Sequence, residues 1–270
     1  IYRYNLILII MKIELSDPKK VLQFSIILQN IRVYSDHVVI NITNEEMFIQ
    51  GMDSSHCSFF EIKLNSEWFN IYEYDKNSDI STLGINTNIL HKIIGIFREG
   101  QNIVLETENE DKLNISFIEE NNNKNLNKYF EIPLINIEQE LLKINVDDSD
   151  VELIMTSKSF NQLINQFQNF DDKLNLHFTE EQVSMYSDGD DGLMKVNVNL
   201  DNVIEYSVTE DVNINQIYSL QHIGMMCVFN KLSDEFKMTF SDNKPMSGTY
   251  TLDNDSFIKF YLAPRIDEYD

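Results

Sequence analysis

The chain has 270 residues and a formal net charge of −23, from 44 acidic and 21 basic side chains. That length fits one large domain or two modest ones, each able to bury its own core. The acidity excludes casual adhesion to nucleic acid or an anionic membrane, so any contact with a polyanion must be confined to a local patch.

Residue 1 is not Met, and Met11 followed by Lys-Ile-Glu-Leu reads as a natural start, so residues 1–10 are expected to be an extension outside the fold. No apolar run reaches the roughly 20 residues a membrane span needs. Cys57 and Cys227 give neither a zinc spacing nor a disulfide framework, which points to a reducing compartment.

Four stretches contain no Asp or Glu: residues 18–35, 80–98, 153–170 and 212–233. They cover 77 residues and hold seven of the 21 Lys and Arg, so they sum to +7 while the other 193 residues sum to −30. Such segregation predicts a shared surface from which negative charge is excluded, as a neighbouring polyanion would require. The first and third stretches start 135 residues apart and the second and fourth 132, which predicts two similar halves.

In chain order, Asp17 and Pro18 supply a helix cap and first turn. Val21, Phe24, Leu28 and Ile31 then recur at helical spacing, with Lys20, Gln23 and Asn30 on another side. Residues 38–42 alternate at period two and predict a strand. In the second acid-free stretch Leu90, Ile93 and Phe97 oppose His91, Lys92 and Gly95, again as a helix. Strands are predicted over 102–106, after a turn at Glu99 and Gly100, and over 112–117. The Asn-rich stretch 119–128 reads as a loop inside the first half.

A third helix carries Phe160, Leu163, Phe167 and Phe170 on one stripe, with Gln162, Asn165 and Asn169 opposite. Strands follow over 182–186, 195–200 and 236–240, with a turn at Asp188 and Gly189. The fourth acid-free stretch is helical more loosely, around 216–229. The predicted class is α+β, two similar domains, each an antiparallel sheet with two helices. The expected divisions are a domain over 11–134, a linker over 135–150 and a second domain over 151–270.

Two motifs give the chain a family. Residues 51–56 read Gly-Met-Asp-Ser-Ser-His, followed by Cys57 and alternating Phe59, Ile62 and Leu64; residues 260–268 read Phe-Tyr-Leu-Ala-Pro-Arg-Ile-Asp-Glu. Together, with Lys19-Lys-Val-Leu22 and Ser187-Asp-Gly189, they resemble the eukaryotic-type sliding clamp family, proliferating cell nuclear antigen (PCNA). The resemblance runs from Met11 to the end of the chain. It implies a homotrimeric closed ring of two-domain subunits, helices lining a hole around duplex DNA and sheets forming the outer wall. It implies a processivity factor that needs no catalytic group and no cofactor.

Carried over residue by residue, the resemblance assigns DNA contacts to Lys19, Lys20, His91, Lys92, Lys158, Gln162, Asn165, His222 and Lys231. It assigns a partner-peptide pocket to Met52, His56, Cys57, Leu142, Ile144, Pro245, Tyr261, Leu262, Ala263 and Pro264. The subunit interface falls on residues 127–134 and 192–200, with Phe130, Ile132, Leu134, Met194, Val196 and Val198. Pro133 must then occupy a position whose N–H is not needed for strand pairing. Implied partners are double-stranded DNA, a DNA polymerase, an ATP-dependent clamp loader and proteins bearing a PCNA-interacting peptide. The implied location is the nucleus, or a viral replication site, since the Asn and Ile richness suits an AT-rich genome. Two departures stand out: Gln162 and Asn165 lie where the family tends to carry arginines, and Glu180 lies where cellular relatives carry a ubiquitinated lysine.

Other chemistry is absent from the sequence. Ser187-Asp-Gly-Asp-Asp-Gly192 lacks the ligand order and terminal Glu of a calcium loop. The five His residues (37, 56, 91, 177 and 222) show no metalloprotease spacing, and no phosphate-binding glycine loop occurs. Within binding proteins the alternatives are a subunit of a heterotrimeric checkpoint ring or a monomeric viral processivity factor. A carboxylate-dependent nuclease would need clustered acids, whereas these are dispersed along loops.

Overall fold

The computed structural model describes residues 9–78, 81–119, 126–144 and 148–266. Most of the expected extension over 1–10, the end of the tail motif and most of the Asn-rich loop lie outside those residues. Among the described residues, nine strands and two α-helices form the first repeat: β1 Met11–Leu15, α1 Pro18–Asn30, β2 His37–Ile42, β3 Glu46–Met52, β4 Ser58–Asn65, β5 Ile71–Tyr74, β6 Thr82–Asn86, α2 Thr87–Ile94, β7 Gln101–Asn109, β8 Lys112–Glu119 and β9 Lys128–Pro133. The second repeat comprises β10 Val151–Thr156, α3 Ser157–Phe167, β11 Lys173–Thr179, β12 Val183–Gly189, β13 Gly192–Val198, β14 Glu205–Val208, β15 Asn213–Ser219, α4 Leu220–Cys227, β16 Glu235–Phe240, β17 Met246–Thr251 and β18 Phe257–Leu262. No helix among the described residues is long and apolar enough to cross a membrane.

The chain packs as two compact units: Ile1–Gly51 with Ile62–Leu141 and Asp253–Ser256, and Met52–Glu61 with Leu142–Leu252 and Phe257–Asp270. In unit 1 one sheet runs β5-β1-β7-β8-β9 and another contains β3-β2-β6. In unit 2 the order β14-β10-β16-β17-β18 repeats the first pattern, and β13-β12-β11-β15 stands for the second. The strand ladders among the described residues are antiparallel. The α+β class and the duplicated design expected from the acid-free spacing are therefore observed.

Each helix covers the core of its own unit. Phe24 of α1 packs against Trp68 and Phe69, with ring centroids 6.1 and 5.9 Å away. Phe160 of α3 lies 5.1 Å from Phe236, which in turn meets Tyr250 at 4.5 Å. Asp17 caps α1 by accepting the Lys20 N–H at 3.0 Å, with Pro18 in the first turn. Helix α1 buries seven residues, Gln23 and Ser25 among them, so it is less amphipathic than its sequence suggests.

Three local expectations need correction. Residues 213–219 are strand β15, and the fourth helix is confined to Leu220–Cys227. Alternation of Ile214, Gln216 and Tyr218 inward, on the ladder with β11, outweighs their helical compatibility. Asp188 and Gly189 belong to β12, and the turn is Asp190-Asp191, closed by Gly192 at φ +121°. Leu200 starts a 3-10 turn instead of ending a strand, because the Asn199 side chain accepts from the Asp201 N–H.

Both repeats end by covering a sheet edge. The Ile135 N–H donates to the Gly84 carbonyl of β6 at 2.9 Å, and the Arg265 N–H to the Ile217 carbonyl of β15 at 2.7 Å. A Cβ on Gly84 would stand 2.0 Å from the Ile135 carbonyl oxygen, so this close approach requires glycine.

Candidate functional site

None of the four helices has an acidic residue in its first turn, and α1 packs beside α2 and α3 beside α4 within their units. The helix layer of unit 1 presents Lys19 and Lys92 to solvent and Lys20 at its edge. Lys19 is already paired with Asp253 at 3.1 Å, so a carboxylate from a loop reaches the start of α1. Lys20 bonds the Asn254 side chain at 3.3 Å and lies 5.9 Å above the Trp68 ring. The His91 Nδ1–H donates to the Gln29 carbonyl at 2.9 Å, which fixes its ring between α1 and α2. In unit 2 Lys158, Gln162, Asn165 and Lys231 are all exposed.

His222 departs from its expected role. Its side chain is 13 % exposed and turns away from the polar face of α4, with Nε2 3.4 Å from Asp53 Oδ2 and 3.1 Å from Ser55 Oγ. Burial beside a carboxylate is a better environment for this imidazole than the helix surface, so it is removed from the DNA-facing set.

The two family motifs meet inside unit 2. The Ala263 N–H donates to the Cys57 carbonyl at 3.1 Å, and the Phe59 and Tyr261 rings are 5.9 Å apart. The Tyr261 hydroxyl donates to Glu61 at 3.1 Å, and the Lys259 ammonium sits 5.0 Å from the Tyr261 ring centroid. Burial, and then the Glu61 charge, push the Tyr261 phenol up; burial pushes the Lys259 ammonium down, with Lys237 acting in the same direction.

The loop between β3 and β4 is organised by Asp53. Its Oδ1 accepts the N–H groups of Cys57 and Ser58 at 3.0 and 2.6 Å; its Oδ2 accepts the Ser55 N–H at 2.7 Å and the Ser55 hydroxyl. Burial pushes this carboxyl up, but hydrogen bonds from Ser55, Ser58 and His222 outweigh it and hold the pKa at about 2. His56 adopts φ +60° at the loop tip. Met52 is half-buried, while His56, Cys57, Ala263 and Pro245 are exposed and Pro264 is half-buried. Leu142 and Ile144 are apolar side chains standing 50 % and 38 % exposed.

Leu262 must be taken out of the pocket lining. It is 1 % exposed and pairs with Met246 on the neighbouring strand, because strand alternation sends it to the core face opposite Tyr261. Three residues that sequence reasoning missed make contacts around the motifs: Asp53, Phe59 and Glu61. Asp53 lies inside the motif that carried the resemblance, and a short Asp-Ser-Ser run is a recognisable Asx-turn signal.

The expected interface strands are both sheet ends within the chain, β9 beside β8 and β13 beside β12. Ile132 is buried and Phe130 packs 5.4 Å from Phe117, so these two side chains face their own core. Met194, Val196 and Val198 are half-buried, alternating with exposed Leu193, Lys195 and Asn197. The Leu134 N–H bonds the Asp111 carbonyl at 2.8 Å, which directs the adjacent Pro133 nitrogen away from β8 toward the open edge.

Comparison with known proteins fits this arrangement. The model of the PCNA N-terminal domain matches residues 19–141, and that of the PCNA C-terminal domain matches residues 143–265. The chain belongs to the PCNA family. It is 27 % identical over 234 residues to proliferating cell nuclear antigen 2 of Plasmodium falciparum, covering 82 % of this chain and 87 % of the relative. It is 24 % identical over 247 residues to DNA polymerase sliding clamp 2 of Saccharolobus solfataricus, covering 90 % and 96 %. The crystal structure of PCNA from Entamoeba histolytica shares the fold with a TM-score of 0.83 at 20 % identity, covering 96 % of this chain and all of that one. Glu180 is exposed and its carboxylate accepts the Asp211 N–H at 2.6 Å.

Proposed function

We propose that this chain is the subunit of a homotrimeric DNA sliding clamp, a non-enzymatic processivity factor for a DNA polymerase. The observation that carries the reading is the absence of every carboxylate from four surface helices in a protein of net charge −23. Such a layer removes repulsion from phosphates without supplying strong attraction. A clamp needs no more, because a closed ring is retained on DNA by topology. The contacts proposed for DNA are Lys19, Lys20, His91, Lys92, Lys158, Gln162, Asn165 and Lys231.

Ring closure would pair β9 of one subunit with β13 of the next, head to tail, which protects two open edges at once. Residues 135–150 are proposed as the connecting linker. Partners would dock a short peptide on Met52, His56, Cys57, Leu142, Ile144, Pro245, Tyr261, Ala263 and Pro264, anchored by buried aliphatic and aromatic area. Phe59 would form the wall behind Tyr261. An ATP-dependent loader would be needed to open the ring, and eukaryotic relatives support a nuclear location.

Light scattering tests the assembly. A mass near three times 31.7 kDa is expected; a monomer at micromolar concentration would overturn the ring and favour a monomeric processivity factor. A heterotrimeric checkpoint subunit would also fail to trimerise alone. The docking surface is tested by calorimetry with a PCNA-interacting peptide. Leu142→Asp should abolish binding, since a charge would be desolvated under the bound peptide, and unchanged affinity would remove the linker from the site.

A further inference from the structure

One side chain of α4, His222, reaches the connection between β3 and β4. His222 Nε2 lies 3.1 Å from Ser55 Oγ and 3.4 Å from Asp53 Oδ2. An ionised carboxylate only accepts, so Nε2 carries the hydrogen and points it between the two oxygens. Nδ1 is left as a buried acceptor with no partner. The imidazole is thus held by one nitrogen alone, and that nitrogen faces the carboxylate around which the loop folds. Asp53 in turn gathers the N–H groups of Ser55, Cys57 and Ser58. Its main chain closes the loop as well, donating to the Ser58 carbonyl at 2.9 Å and accepting from the His56 N–H at 3.0 Å. The Cys57 carbonyl at the end of the loop receives the Ala263 N–H.

We propose that His222 is a positioning residue for the docking loop, acting through Asp53 to fix the backbone of residues 53–58 and so the placement of His56 and Cys57. The proposal rests on the docking reading above for its consequence, but not for its geometry. A helix whose other exposed residues belong to the DNA-facing layer would thereby clamp the loop that receives partners. Nothing in the bond requires a change of shape: the effect is to keep the loop in one conformation before a peptide arrives, so less order has to be imposed on binding.

Cys57 supplies a reporter inside the loop, since its thiol is exposed while that of Cys227 is buried. The full chain would be compared with His222→Phe, which keeps an aromatic ring and removes the donor, and with His222→Gln, which keeps an N–H. The rate of Cys57 alkylation by N-ethylmaleimide at fixed pH is read by mass spectrometry, alongside the Kd of a PCNA-interacting peptide. His222→Phe should label several-fold faster and bind on the order of tenfold more weakly, and His222→Gln should restore both. Labelling of His222→Phe at the wild-type rate overturns the proposal. If wild type does not bind the peptide yet labelling still responds to His222→Phe and recovers with His222→Gln, the docking reading falls and the positioning role stands. Asp53→Asn breaks the same bond from its other end; should His222→Phe fail to fold, absence of faster labelling in Asp53→Asn overturns the proposal instead.

Discussion

The two repeats share one wiring but use their helices differently. Helix α1 buries seven of its thirteen residues and shows solvent little beyond Lys19, Leu22 and the edge at Lys20. Helix α3 buries four of eleven and displays a row of neutral amides: Gln162, Asn165, Gln166 and Asn169 just beyond it. The acid-free stretches of the first repeat contain Lys19, Lys20, Arg32, Lys92 and Arg98, whereas those of the second contain only Lys158 and Lys231. What both repeats share is the exclusion of carboxylates, not a density of cations. Avoiding repulsion is therefore the common requirement, and attraction is a variable added to it.

The same hairpin also differs between repeats. In the second, β12 turns into β13 through Asp190-Asp191 alone. In the first, the equivalent connection is a loop of five residues wound around Asp53 and held by His222. The longer of the two connections is the one that carries the family motif.

The sharpest way to break the helix comparison is to place a charge on each polar face. Gln23 on α1 is 5 % exposed, so Gln23→Lys should cost about 3 kcal/mol or more through an unpaired buried ammonium. Gln162→Lys on exposed α3 should stay within about 0.5 kcal/mol. Urea unfolding of both variants checks this, and equal losses would mean that α1 is as solvated as α3.

Acid titration sharpens the hairpin comparison. The Asp53 carboxyl is depressed in the folded state, to about 2 from an ordinary carboxylate value near 4. Its contribution is thus fully present above pH ~4 and is lost as pH falls toward 2, because protonation is easier in the unfolded chain. Stability should drop by about 2 kcal/mol over that window, and Asp53→Asn should remove most of this slope. A variant that keeps the full acid dependence would assign it to other carboxylates, such as Asp172, which the Arg265 guanidinium at 2.9 Å holds below its usual range.

The smallest effect is expected in salt dependence. Each phosphate contact adds about 0.9 to the slope of log affinity against log salt on duplex DNA. With few free lysines, retention on circular DNA should fall less steeply with salt than for a lysine-rich pore. Lys92→Gln should flatten the slope by about one contact, and Gln162→Lys should steepen it by the same amount. If Gln162→Lys leaves the slope unchanged, the exposed face of α3 does not approach DNA.

Much of the fold was legible because its signals are local. Phe160 and Phe167 at helical spacing, the Asp17–Pro18 cap, and the strands β2, β7, β8 and β16 all read correctly from neighbours in sequence, although β2 and β7 bury both faces where strict alternation predicts one. The stripe on α3 was displaced by one residue, since Ile164 and not Leu163 is fully buried. The fourth helix was overextended because residues 214–218 suit either period, and only pairing with β11 chooses the strand. For the site, the two motifs could be named from sequence, but Leu262 and His222 could not be placed. One belongs to the core by strand alternation, and the other is buried against a loop more than 160 positions away in the chain, as the separation of 169 between His222 and Asp53 records.

The amino-acid order by itself determined the duplication, the segregation of charge and the family, because periodicity, composition and short motifs survive without coordinates. Tertiary structure alone decided which polar side chains of the helices reach solvent, which tail residues line the surface, and that Asp53 is the centre of the β3–β4 loop. Those outcomes depend on partners distant in sequence, and no local pattern encodes the direction in which a side chain finds its hydrogen bond.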